Sequence, residues 1–449
     1  MHMKKIKRFI GSLYIHPRFF WLGALLVLLF ALSYYIPPLL VLSMVAAGIW
    51  LLLTLSDIII LWRRSDFIFA SRETPQKLSN GDENPIYIYI ENRYNFKVDL
   101  RVVDEIPHQF QKRDVLFRLS LRSGESKQIL YNLRPVKRGE YEFGLTRVFV
   151  TTALRMVRRR FDFGSPQNTA VYPSFIQMRK YELHAISHRL TLYGIKRIRR
   201  TGSNTEFEKI KEYVSGDDVR HINWKATAKR NSLMVNQYIE ERAQPVYNII
   251  DMGRSMKMPF NGMSLLDYSI NASLVLSNIA LQKFDQAGLI TYSHQIDEVV
   301  PADRKKNQLS GIMESLYKQQ TGWLESNFEA LHVYVKRKLN RRSLLLLYTN
   351  FESLSGMRRQ LPYLRSMARN HVVVVIFFQN TELKAFLEKE TRNTEDIYMK
   401  TIAEKFDYEK RQIVRELKAH GIYSVLTPPD ALTVNTINKY LELKASGII

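Results

Sequence analysis

The stretch Gly202-Ser203-Asn204-Thr205-Glu206-Phe207 runs on through Glu212-Tyr213, Gly216-Asp217-Asp218-Val219-Arg220 and Ile222-Asn223-Trp224-Lys225, and closes at Asp251-Met252-Gly253-Arg254-Ser255. It joins a charged, turn-rich segment to a short apolar run, Val246 to Ile250, that ends in a carboxylate and then a hydroxyl. An apolar run of this length bounded by polar turns reads as a buried strand. The side chains just past its end are placed to meet a ligand.

Working outward toward the C-terminus, short apolar runs alternate with amphipathic stretches. Strands are expected at Pro245 to Ile250, Gly288 to Tyr292, Leu344 to Tyr348, Val372 to Phe378 and Ile422 to Leu426. Helices are expected between them, at Leu265 to Lys283, Lys305 to Tyr317, Leu324 to Leu339, Met357 to Asn370 and Ile397 to His420. Alternating elements of this kind predict a doubly wound, mostly parallel sheet covered on both faces. Ligands of such sheets bind beyond the carboxyl ends of the strands. Asp251 stands at that edge, and Asp251 with Ser255 offers a carboxylate and a hydroxyl from one loop. Hard divalent cations such as magnesium or manganese favour those oxygens.

Working outward toward the N-terminus, the pattern from Asp66 to Pro173 changes to period two. Ile86-Tyr87-Ile88-Tyr89-Ile90 alternates as a half-buried strand does. Further strands are expected at Val98 to Val103, Leu116 to Leu121, Lys127 to Leu133, Tyr141 to Val150 and Ala170 to Tyr172, with turns at Asn80-Gly81-Asp82 and Ser123-Gly124-Glu125. Several short strands at such spacing predict a small β-sandwich. Arg134 to Tyr141 reads as a strand-connecting turn with solvated cations.

Before that segment lie two apolar runs. Phe19 to Ile36 carries no charge, Pro37-Pro38 interrupts, and Leu39 to Trp62 is apolar except for Asp57. A membrane crossing needs ~20 apolar residues in helical form, so a hairpin of two transmembrane helices, about 19–36 and 39–62, is expected. Lys4, Lys5, Lys7, Arg8 and Arg18 precede it and Arg63 and Arg64 follow it, while its turn carries no cation. The positive-inside rule then puts both ends in the cytoplasm. The expected place is the inner membrane, with two spans and the soluble domains in the cytoplasm. The expected domains are 1–65, 66–180, a connecting segment 181–245, and 246–449.

The chain of 449 residues has a formal net charge of +23 and no cysteine. The absence of cysteine excludes disulfides and thiolate metal sites. The basic balance favours anionic partners: membrane lipids, an acidic protein or, as the rival reading, nucleic acid bound by a membrane-tethered protein. Lys196 to Arg200 and Arg155 to Arg160 are cation clusters that read as solvated faces or as surfaces against anionic lipid. His184 and His188 share a helical spacing but lack an acidic third ligand, and no phosphate loop or nucleophile elbow stands out.

The residues Gly202 to Met256, with Glu212-Tyr213, Gly216-Asp217-Asp218, Arg220 and Trp224-Lys225, closely resemble the von Willebrand factor A-like family known as domain of unknown function 58. Members often have two N-terminal membrane spans and a β-domain, and are commonly encoded beside MoxR-type AAA+ ATPases. The resemblance implies a von Willebrand factor A-like fold and a bacterial membrane adaptor, not an enzyme. Its partners would be a MoxR-type ATPase and other A-domain membrane proteins. The family's metal-ion-dependent adhesion site reads Asp-x-Ser-x-Ser, then Thr, then Asp after a later strand. Carried over position by position, Asp251 matches the leading aspartate and Ser255 the second serine. Gly253 stands at the first serine position, Thr321 at the threonine and Asn350 at the last aspartate. The site is therefore degenerate. Metal binding through Asp251, Ser255, Thr321 and Asn350 is weighed against a metal-free contact face using Asp251 and Arg254. Asp217, Asp218, Arg220 and Trp224 are expected either to brace their segment against the sheet or to offer a second partner surface. The aspartates complement a helix start there.

Overall fold

Pro17–Ser33 and Pro38–Trp62 form two apolar helices, α1 and α2, joined at the Pro37-Pro38 turn. The computed structural model describes residues 9–63, 66–112, 115–186, 206–214, 217, 219–239, 243–381, 383, 387 and 393–449. Of the expected features, Lys196 to Arg200, Gly202 to Thr205, Gly216, Asp218 and His188 lie outside these residues. The chain divides into two compact units, 1–171 and 172–449.

In the first unit α2 is long and apolar enough to cross a membrane, and α1 is a shorter apolar helix. Around them fold β1 (Leu13–Ile15), β2 (Ile68–Glu73), β3 (Lys77–Ser79), β4 (Asn84–Asn92), β5 (Val98–Asp104), β6 (Leu116–Leu121), β7 (Ser126–Leu133), β8 (Gly139–Phe143), β9 (Thr146–Thr151), β10 (Val157–Phe163) and β11 (Gln167–Tyr172). They form a five-stranded sheet β1-β10-β9-β5-β6 and two three-stranded sheets, β2-β4-β7 and β3-β11-β8. The run expected as one strand from Tyr141 to Val150 is two strands, because Gly144-Leu145 turns the chain between β8 and β9. The alternation in β4 is real: Ile86, Ile88 and Ile90 are buried and Tyr87 and Tyr89 face outward.

Asp57, the one charge in the second apolar run, is fully buried. Its Oδ1 accepts from the Thr152 hydroxyl, and its Oδ2 accepts from the Met156 and Val157 amides at 2.9 and 3.0 Å. One turn further, the Leu61 carbonyl accepts from the Tyr94 hydroxyl at 3.1 Å and from Arg159. The last turns of α2 thus belong to the core of the β-domain, where Leu53, Ile58, Leu61 and Trp62 pack with Ile88, Leu100 and Val150. Burying a carboxylate without such donors would be costly.

In the second unit, α3 (Phe175–Ile186) precedes a two-stranded sheet of β12 (Glu206–Glu212) and β13 (Met234–Ile239), with α4 (Trp224–Arg230) between them. A six-stranded sheet follows, of β14 (Pro245–Asp251), β17 (Gln286–Tyr292), β18 (Ile296–Asp303), β19 (Leu344–Tyr348), β20 (Val372–Phe378) and β21 (Tyr423–Thr427); the short pair β15 (Pro259–Phe260) and β16 (Met263–Ser264) lies apart. Its order is β18-β17-β14-β19-β20-β21, parallel except for β18. The antiparallel edge strand β18 follows β17 through a tight turn and was not expected from the sequence, where its half-exposed residues show no apolar run.

Helices cover both faces of this sheet, so its central strands are apolar at nearly every position. α5 (Leu265–Gln282), α6 (Gln308–Lys318) and the unanticipated α10 (Leu432–Ala445) pack on one face with Val246, Ile250, Leu346 and Val374. On the other, α7 (Phe328–Lys338), α8 (Leu354–Asn370) and α9 (Thr394–Ala419) pack with Tyr247, Ile249, Leu347 and Val375. The one polar side chain inside β14, Asn248, donates to Ser277 Oγ at 2.9 Å and accepts from the Tyr348 hydroxyl at 3.2 Å. Within the described residues the fold is mixed α/β, with a largely parallel sheet in the second unit.

Candidate functional site

β14 lies between β17 and β19, so its carboxyl end is surrounded by the loops that leave its neighbours. Backbone bonds draw these loops together. The Met252 amide donates to the Tyr292 carbonyl at 2.8 Å, Gly322 to Met252 at 2.9 Å, and Arg254 to Leu324 at 3.0 Å. Asp251 is at the centre and is 1% exposed.

Its Oδ1 accepts from the Gly253 amide at 2.8 Å and from the Ser326 hydroxyl, and its Oδ2 accepts from Thr349 Oγ1 at 2.6 Å. One carboxylate therefore ties together the loop after β14, the loop before α7 and the loop after β19. Burial pushes the Asp251 carboxyl above the usual carboxylate range, while the bonds from Ser326, Thr349 and Gly253 pull the other way. The buried Tyr292 hydroxyl comes near Asp251 without a well-formed hydrogen bond; burial, then the Asp251 charge, raise it well above its ordinary value.

Gly253 has an ordinary extended backbone, with φ of −69°. Glycine is needed for space: a Cβ there would overlap the Ser326 hydroxyl and sit 3.1 Å from both Asp251 Oδ1 and the Ser326 amide. The hydroxyl absent at position 253 thus arrives from another loop. Ser326 escaped the sequence reading because no fixed spacing links it to Asp251. The one local signal is Asn327, whose side chain accepts from the Ala330 amide at 3.0 Å and caps α7, fixing the loop just before it.

Ser255, half-buried in the short turn Arg254–Lys257, and Asn350 line one cleft together with Asp251. Thr321 does not line it; Gly322 beside it carries the loop's bond to Met252. Asn350 Oδ1 accepts from Lys410 Nζ at 2.9 Å, and the same ammonium donates to the Phe351 carbonyl. Lys410 comes from α9 and stands 5.7 Å from the Phe377 ring centroid. Burial lowers its pKa to about 8, against the opposing pull of Glu352. The oxygens lining this cleft are thus the carboxylates of Asp251, Glu325 and Glu352, the hydroxyls of Ser255, Ser326, Thr349 and Ser353, and the amide oxygens of Gln360 and of Asn350, which already holds a cation. Among the described residues no three His, Cys, Asp or Glu side chains gather to hold a metal ion.

The rim is charged and exposed. Arg254 pairs with Glu325 at 2.9 Å, Arg359 approaches the same carboxylate at 3.8 Å, and Lys257 lies over the exposed Trp323 ring. Beside the cleft opens a cavity of about 470 Å³, whose wall includes Met258, Phe260, Leu265, Phe378, Phe406 and Lys410.

Among the described residues, the connecting segment supplies no lining residue to this cleft. Asp217 accepts from Lys211 Nζ at 2.8 Å and from the Val214 amide at 3.0 Å, and these bonds hold its carboxyl below the usual range. Arg220 is in the short turn Val219–His221. Trp224 begins α4 after the capping Asn223 and is 70% exposed, so its ring is turned to solvent.

Residues 209–396 match the family model described as Protein of unknown function DUF58. The chain is 25% identical over 126 residues to the uncharacterized protein YeaD of Bacillus subtilis (strain 168), a match covering 28% of this chain and 31% of that protein's length. Among solved structures, the CARDB domain of PF1109 from Pyrococcus furiosus is 12% identical, with a TM-score of 0.17, over 23% of this chain and 94% of that one. Proximal thread matrix protein 1 from the mussel byssus is 10% identical, with a TM-score of 0.28, over 45% of each chain. Likenesses this loose carry no argument. The family model matched over residues 209–396, that of the protein family of unknown function DUF58, is the one that the residues from Gly202 to Met256 resemble.

Proposed function

We propose that this protein is a membrane-anchored, cytoplasm-facing adaptor. Its second unit is read as a von Willebrand factor A-like domain that recruits a MoxR-type AAA+ ATPase without an intervening metal ion. The observation that carries the reading is the bracing of three loops by the buried Asp251 carboxylate. A face pre-formed in this way avoids much of the ordering cost of binding. The rim offers Arg254, Glu325, Arg359 and Trp323 for charge and ring contacts, and the cavity beside it suits an apolar side chain of the partner.

The metal-free form of the reading rests on the donor set. A divalent ion needs several anionic oxygens. Here the buried Asp251 carboxylate is already bonded on both oxygens, an ammonium occupies the Asn350 oxygen, and Glu325 at the rim is paired with Arg254. Anchoring by two spans is supported by the apolar side chains that α1 and α2 leave exposed, among them Leu25, Leu28, Val41 and Leu52. The cations flanking the helices support the cytoplasmic side for the rest of the chain.

The test is affinity purification of the full-length protein from its native host in mild detergent, with ATP and magnesium, read by mass spectrometry. Enrichment of an AAA+ ATPase by the wild type, lost with Arg254→Glu plus Arg359→Glu, is the expected result. Equal recovery by that variant sinks the contact face. Recovery of nucleic acid and its binding proteins alone, released by salt, turns the reading toward the basic surface.

A further inference from the structure

The outward face of the five-stranded sheet carries more cations than it can pair. Arg101 on β5 stands directly across from Arg118 on β6. Arg158 on β10 points to the same face, opposite Tyr14 of β1 and Thr151 of β9. The nearby carboxylates are taken: Asp99 by Arg155, Asp162 by Arg160, and Glu105 by Arg147. Among the described residues, Arg18, Arg101, Arg118 and Arg158 have no acidic partner, and the Arg158 Nε is buried without a hydrogen bond.

Like charges are held close there against their repulsion. Burial, then Arg101 and Arg118, lower the Arg158 pKa. His16 registers the same field: burial, then Arg158, Arg101, Arg18 and Arg155, lower its pKa to about 4. It stays neutral and accepts from the Arg18 amide through Nδ1 at 3.1 Å, capping α1.

The height of this cluster along the helix pair decides what it meets. The Phe19 ring lies against Trp50, with centroids 4.4 Å apart, so α1 begins level with that part of α2. From Trp50 to Trp62, α2 continues roughly 18 Å into the β-domain, where Asp57 and Leu61 are bonded. Just before α1, the His16 amide donates to the Met156 carbonyl at 3.0 Å and β1 pairs with β10. The sheet thus ends just before Pro17, with exposed apolar side chains beyond it on α1 and also short of it, at Ile15, Leu55 and Ile59. In an inserted hairpin the end of the sheet is at the level of the lipid headgroups.

We propose that Arg18, Arg101, Arg118 and Arg158 form a binding site for the phosphate of an anionic phospholipid headgroup at the membrane-facing margin of the β-domain. Planar guanidinium groups suit phosphate oxygens, and a lipid phosphate supplies the anion this face lacks. The proposal rests on the membrane-anchored reading above.

The experiment is native mass spectrometry of the full-length protein in detergent, titrated with phosphatidylglycerol, phosphatidylcholine or inorganic phosphate. The wild type is expected to hold phosphatidylglycerol and not phosphatidylcholine. Arg101→Gln, Arg118→Gln and Arg158→Gln together are expected to weaken that binding about a hundredfold, the loss due to three cations facing an anionic surface. Lys127→Gln, on β7, leaves it unchanged. The corresponding lysine triple retains most of the binding, and the three glutamine variants taken singly each weaken it, which guards against a misfolded triple. Undiminished binding by the glutamine variants overturns the proposal, as does inorganic phosphate binding as tightly as the lipid. Alkaline carbonate extraction of native membranes separates the two readings. Release of the wild type by carbonate defeats membrane anchoring itself; retention with undiminished lipid binding by the variants defeats the site alone.

Discussion

Lys410 donates from a buried ammonium to Asn350 Oδ1 at 2.9 Å, so a cation of the protein's own sits at the cleft where the family pattern places an acidic residue. That cation is held at a cost. Its pKa in the fold is about 8, below its ordinary value of 10.5, with burial as the main cause. The unfolded chain therefore binds more protons than the native state between those pH values, and stability rises with pH across that window. Below pH 8 the penalty is constant. The rise is on the order of 3 kcal/mol. Lys410→Met should remove it, and the difference between wild type and variant, by denaturant titration at pH 7 and pH 10, checks this.

The same ammonium bears on metal binding. Magnesium or manganese at millimolar concentration should leave the melting temperature of the wild type unchanged, since a ligand bound only by the native state would raise it. Asn350→Asp with Lys410→Met places a carboxylate where the family pattern has one and removes the competing cation. That double variant should gain a metal-dependent rise in melting temperature. A rise in the wild type itself would rule out the metal-free contact face.

Ser326 and Gly253 share one volume, so their side chains must be chosen together. Gly253→Ser forces a Cβ into the space of the Ser326 hydroxyl, and overpacking of this kind costs about 1–3 kcal/mol. Ser326→Ala in the same chain clears part of that space and leaves a hydroxyl beside Asp251. The double variant should melt above Gly253→Ser alone; additive losses would show that the two positions do not compete.

What was legible in the sequence follows from which interactions are local. The parallel strands declared themselves because a strand buried on both faces must be apolar throughout, as Val372 to Phe378 is. Asp251 was legible as the residue that ends such a strand. Ser326 was not, because it reaches Asp251 across 75 residues and its partner choice is made by the tertiary fold. Lys410 reads in the sequence as one cation on an amphipathic helix; its burial comes from packing of α9 over the loop after β19. Trp224, expected either to brace its segment or to offer a partner surface, is exposed in the first turn of α4, a placement that spacing alone does not determine.

Asp57 gave the clearest signal with the least explanation, a lone charge in an apolar run. Its carboxylate holds the Met156 and Val157 amides and the Thr152 hydroxyl against α2. Asp57→Leu keeps the helix apolar and leaves three buried donors unsatisfied. Each unsatisfied donor costs about 1–3 kcal/mol, and the strain falls on the loop between β9 and β10. Hydrogen exchange in detergent should then show the Met156 and Val157 amides losing at least about tenfold in protection, while amides in β19 and β20 stay as slow as in the wild type. Retained protection at both amides would mean that the helix docks by its apolar face alone, and that the charge at position 57 has another use.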